Sequence, residues 1–154
     1  MRSVGLHRPV VDVPRAWCGP VALAAITGRP LSAFPLLGRR GGMSSFDVQM
    51  ALRVNGYRVV SCSTFARGER LPLHRYLASR PPARGILGVP GHWLAFDGLL
   101  VLDTYLPVAT WVYDHPAARR KVKRVLRVVP APGSIEEWIH ADLERAASAR
   151  RGRP

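Results

Sequence analysis

The chain has 154 residues with a formal net charge of +13, 47% apolar residues and only 21% charged residues. That length fits one domain with a real core, and the apolar content excludes wholesale disorder. No stretch approaches the roughly 20 apolar residues of a membrane span, and the N-terminus lacks an apolar run of signal-peptide length. Two cysteines, Cys18 and Cys62, are too few for a disulfide framework, so a soluble protein of a reducing, cytoplasmic compartment is expected. Nearly all the cations are arginine, the exceptions being Lys121 and Lys123. Such a surface can attract nucleic acid, an acidic protein or anionic lipid.

In chain order, Pro9 and Pro14 leave residues 1–16 irregular. A helix is predicted over residues 18 to 27, with Pro20 tolerated in its first turn and Gly28 followed by Pro30 as its stop. Residues 31–37 read as a short helical turn, broken by Pro35. Arg39 to Gly42 reads as a loop, and no Gly-Lys-Ser/Thr follows to make it a phosphate cradle. Ser44 and Asp47 form a capping box for a second helix ending at Asn55-Gly56. Phe46, Met50 and Val54, with Val48 and Leu52 nearby, give its predicted buried stripe.

Residues 57–62 read as a strand, with Cys62 structural, and residues 73–78 as a helix closed by Arg80-Pro-Pro82. Residues 85–89 read as a buried strand. A hairpin then spans about 91–104, turning at Asp97-Gly98 with both residues expected at positive φ. The alternation of valine and basic residues from 122 to 129 predicts a strand with a charged outer face at a sheet edge, which would resist aggregation. Ser134 and Glu137 cap a last helix carrying Ile135, Trp138, Ile139 and Leu143. One domain is expected over 1–148, followed by a disordered basic tail over 149–154. Helices come first and strands after, so the fold class is α+β, with helices packed on an antiparallel sheet.

Chemistry enters through Cys18, His92 and Asp103. A thiol at a helix start gains from the partial positive charge there. If Asp97 and Gly98 form the two-residue loop, counting outward pairs His92 directly with Asp103, and opposed residues share a face about 5 Å apart. The carboxylate would then fix the imidazole tautomer and leave the other ring nitrogen free to act as a base. His7, His74, His115 and His140 are isolated in the sequence, so no metal spacing is present and no cofactor is called for. His115, before Pro116, reads as a solvated loop residue.

The residues Trp17-Cys18-Gly19-Pro20 and the following apolar helix, then Gly91-His92-Trp93, then Val101-Leu102-Asp103, resemble the papain-like cysteine peptidases. Within these they are most similar to the small bacterial and phage branch related to the peptidases that process bacteriocin leaders. The resemblance spans roughly residues 12–129 in order and spacing. It implies a papain-like fold with the cysteine helix on a twisted antiparallel sheet. It also implies acyl transfer through a thioester on a peptide or protein substrate, or a related deamidation. Cys18 would be the nucleophile, His92 the general base and then acid, and Asp103 the orienter. Gly91, Trp93 and Trp111 are candidates for the substrate cleft.

The branch supplies a glutamine before its cysteine to bind the oxyanion. This chain has none between Val11 and Trp17, and Asp12 stands near the expected place. The Cys18 backbone N–H remains, with Arg15 and Trp17 as further candidate donors. Losing one oxyanion donor costs about 100- to 1000-fold in rate. The rival expectation is a relict triad on a scaffold that binds nucleic acid or an acidic protein through the basic run at 119–127.

Overall fold

The computed structural model describes residues 5–8, 17–34, 42–133, 141, 142 and 145. The last helix expected from Ser134, the tail over 149–154, and Asp12 and Arg15 lie outside the described residues. Among the described residues, α1 (Cys18–Thr27), α2 (Ser45–Val54) and α3 (Leu73–Ala78) pack on one six-stranded sheet. The strands are β1 (Tyr57–Thr64), β2 (Arg84–Val89), β3 (His92–Asp97), β4 (Leu100–Leu102), β5 (Thr110–Trp111) and β6 (Arg124–Pro130). Their order across the sheet is β1-β6-β2-β3-β4-β5, with every neighbouring pair antiparallel. The expected α+β class is therefore the observed one. No helix among the described residues is long and apolar enough to cross a membrane.

Helix α1 is apolar on all sides, and its residues from Cys18 to Ile26 are buried. A helix apolar all round must be covered all round. Its end is closed by Gly28 at φ 70°, whose N–H bonds the Ala24 carbonyl. Helix α2 starts on the expected capping box, Ser44 Oγ taking the Asp47 amide and Asp47 taking the Ser44 amide.

The core lies on both faces of the sheet. Ile86, Ala95, Leu102 and Leu126 pack with α1 and α2, whereas Leu87, Leu94, Phe96, Val101 and Val125 pack with α3 and Val112. Neighbours such as Ile86 and Leu87 fall in different clusters because successive strand residues face opposite ways.

Three sequence expectations are corrected. The buried face of α2 is Val48 and Leu52, while Phe46, Met50 and Val54 are 69%, 41% and 79% exposed. Both sets satisfy helical spacing, and only tertiary packing chooses between them. The basic-and-valine strand β6 is not an edge, since it pairs with β1 on one side and β2 on the other. Face alternation reports which side is wet and says nothing about neighbours in the plane.

Cys62 is exposed on β1. Finally, the hairpin turns one step later than expected, because Asp97 pairs with Leu100 and leaves Gly98-Leu99 as the loop. Gly98 has φ 60° and no non-glycine described residue has positive φ, which is the pattern of a type II′ turn. Asp97 stays in the strand, where it takes the Gly5 amide and lies 3.6 Å from the Arg84 guanidinium.

Candidate active site

The later turn shifts the ladder by two residues. Ala95 pairs with Leu102, so continued pairing sets His92 against Tyr105 rather than Asp103. The expected direct pair is thus a diagonal one. A slip of two preserves parity, so Asp103 remains on the His92 side of the strands. The His92 and Tyr105 rings do meet, tilted at 49° with centroids 4.7 Å apart. His92 Nε2 lies 2.8 Å from Asp103 Oδ2, with both side chains buried.

Asp103 directly follows the last residue of β4 and organises its own turn. Its Oδ1 accepts the Tyr105 amide at 3.0 Å and the Leu106 amide at 2.9 Å. Asp favours such positions because its short side chain reaches amides two or three residues on. A third donor comes from farther along the chain: His115 Nε2 lies 3.1 Å from the same oxygen. Sequence reasoning missed His115. It is only 3% exposed, and its Nδ1 accepts the Ala117 amide at 3.0 Å. The His-Pro pair suggests a loop, which is right, but a loop folded inward leaves no local signal.

With Nε2 on Asp103, Nδ1 of His92 is the nitrogen left for Cys18. Cys18 is the first residue of α1, and its sulfur is within hydrogen-bonding reach of the His92 ring and of the Trp93 and Gly19 amides. Burial alone would push the thiol up, but these donors and the His92 charge hold it below the ordinary thiol value. Burial also opposes a charged His92, yet its bonds to Asp103 and Cys18 push it up to about 9. Burial of Asp103 is likewise outweighed by the His115, His92 and Leu106 donors, which hold its carboxyl well below the usual carboxylate range. The three shifts agree in direction: they favour thiolate, imidazolium and carboxylate together.

No protein family, curated protein or solved structure matches the chain.

A cleft of about 290 Å³ opens over Cys18 and His92, walled by Met43, Ser45, Gly88, Gly91, Trp93, Lys123 and Arg124 among others. Gly91 takes φ 72° in the turn between β2 and β3, which an L side chain resists. Trp93 is held by its indole N–H on the Met43 carbonyl at 2.9 Å. Gly91 and Trp93 both line the cleft. Trp111 does not line this cleft; its ring lies tilted against Tyr113, centroids 5.7 Å apart, beyond β4. Trp17 precedes α1 without a side-chain cap bond. No cluster of three or more His, Cys, Asp or Glu placed to hold a metal occurs among the described residues. The cationic pair Lys123 and Arg124 was legible as charge but not as cleft wall, because its place depends on β6 lying beside β2.

Proposed function

We propose that the chain is a cysteine hydrolase of papain-like fold, acting on peptide bonds or on side-chain amides. The observation that carries this reading is the 2.8 Å His92–Asp103 bond beside a thiol at the head of a buried helix. The Cys18 thiolate attacks the substrate carbonyl, and the Cys18 N–H donates to the oxyanion. His92 Nδ1–H protonates the departing amine, leaving a thioester on Cys18. His92, now neutral, takes a proton from water as it attacks the thioester, and the acid product leaves with the thiol restored. Asp103 stays charged throughout and holds the ring.

Among the described residues the cleft wall carries Lys123 and Arg124 and no carboxylate, which favours a substrate with acidic side chains near the scissile bond. Two free cysteines among the described residues suit a reducing, cytoplasmic setting. A second reading draws on the +13 charge and the missing oxyanion glutamine: a relict site on a scaffold that binds nucleic acid or an acidic protein.

Incubation with a pool of acidic peptides separates the two. Hydrolysis yields new amine termini and a hydroxylamine-labile adduct on Cys18, both lost in Cys18→Ala. Absence of turnover, together with polynucleotide binding that weakens steeply as salt rises, would replace the first reading with the second.

A further inference from the structure

We infer that His115 is a positioning residue of this site: a neutral imidazole whose one N–H clamps Asp103 Oδ1, so that Oδ2 stays fixed on His92. The inference rests on the cysteine-hydrolase reading above and adds a fourth side chain to it.

The tautomer follows from the hydrogen bonds. An amide N–H only donates, and that of Ala117 points at His115 Nδ1 over 3.0 Å. Nδ1 therefore offers a lone pair. The ring proton sits on Nε2 and is donated to Asp103 Oδ1 over 3.1 Å. A second ring proton would set N–H against N–H. The backbone keeps the ring in place. His115 follows the short helical turn Val112–Asp114, its N–H bonds the Val112 carbonyl, and its own carbonyl takes the Ala118 amide. Neither the His115 nor the Asp103 side chain is accessible to solvent.

Neutrality has a consequence for catalysis. A lysine or arginine at this place would pair with the carboxylate and draw its field away from His92. Two cations on one carboxylate would also repel each other, which weakens the hold of His92 on its proton. A neutral donor orients the carboxylate and leaves its full charge to His92. Oδ1 then holds three donors, His115, Tyr105 and Leu106, and rotation of Asp103 would break all three.

The test uses the full chain carrying Cys62→Ser. Nitrogen-15 spectra of the histidine rings at neutral pH should show His115 with hydrogen on Nε2 and none on Nδ1. The opposite tautomer, or a doubly protonated ring, would overturn the proposal. Cys18 alkylation against pH gives the second readout. His115→Phe keeps the volume and removes the donor, and should lower the His92 inflection near 9 by about one pH unit. His115→Gln, which retains an N–H donor, should restore it.

A melting temperature lowered with both inflections unmoved would mean a merely structural ring and sink the idea. If His115→Phe does not fold, His115→Asn replaces it, since Asn can still accept from Ala117 but is too short to reach Asp103. Equal profiles for Asn and Gln would then refute the clamp. A wild-type Cys18 that titrates as an ordinary thiol would remove the hydrolase reading instead, while the ring spectra still decide the tautomer.

Discussion

Replacing Asp103 by Asn should disable the site by reversing a tautomer rather than by unfolding the chain. Asp103 Oδ1 holds the His115, Tyr105 and Leu106 donors, so the Asn carbonyl oxygen takes that side. The Asn NH₂ then faces His92 Nε2, which must accept. The ring proton moves to Nδ1, the nitrogen that faces Cys18, and His92 can no longer serve as a base there. The rise of His92 from 6.5 to about 9 is worth about 3 kcal/mol, shared between Asp103 and Cys18. Most of it should vanish. The same swap in a serine triad costs about 10⁴-fold in turnover, and an effect of that order is expected here. The assay is alkylation of Cys18 by iodoacetamide from pH 4 to 10, read by mass spectrometry, with the exposed Cys62 as internal reference. The acid inflection of Cys18 should rise towards the free-thiol value. An Asp103→Asn protein with the wild-type profile would refute the assignment of Asp103 as orienter.

Other outcomes follow from the same structure. His92 is raised in the folded state, so its stabilising contribution is complete below pH 6.5 and is lost as pH rises through about 9. Asp103 is lowered, so its contribution is complete above its ordinary value of 3.8 and fades as pH falls through the lower folded value. Cys18 is lowered and acts in the opposite sense, so between pH 6.5 and about 9 the thiolate–imidazolium pair holds one proton, as the unfolded thiol and imidazole do, and the melting temperature should stay level there. Cys18→Ala should uncover the His92 decline over that range; a decline already present in the wild type would show that the pair does not form. Leu52→Ala should destabilise by roughly 2–5 kcal/mol, and Val54→Ala by less than about 0.5, in urea titrations. The reverse order would mean that α2 presents its other face to the core. Lys123→Glu with Arg124→Glu should slow alkylation of Cys18 by anionic iodoacetate relative to neutral iodoacetamide several-fold, and should raise the Cys18 inflection in the same sense. An unaltered ratio would remove the cationic wall from the account of substrate choice.

The parts of the fold legible in the sequence were those set by neighbours along the chain. The Ser44–Asp47 box, the Gly28 stop of α1 and the bounds of α3 depend on residues within a turn or two, and each appears where expected. What required the whole molecule was not legible. Phe46 and Val48 both satisfy helical spacing, and the choice between them was made by α1 and β1. The charged alternation of β6 marked a wet face, yet its place between β1 and β2 came from strand order. In the site, His92 and Asp103 survived an error in the turn because the slip was even. A slip of one residue would have sent Asp103 to the opposite face. His115 and the Lys123–Arg124 wall reach the site across long stretches of chain, and nothing beside them in the sequence announces it.

The two halves of the site differ in how far the chain must travel to build them. His92 and Asp103 belong to one hairpin and its exit turn, and hairpins form within about 1–10 μs. Cys18 arrives only when α1 is seated against the finished sheet, a contact between distant parts of the chain. Until then its sulfur lacks both the imidazole and the Trp93 amide that lower it. A nascent or misfolded copy thus carries a sluggish thiol, and heightened reactivity at Cys18 is itself a signal that folding has been completed.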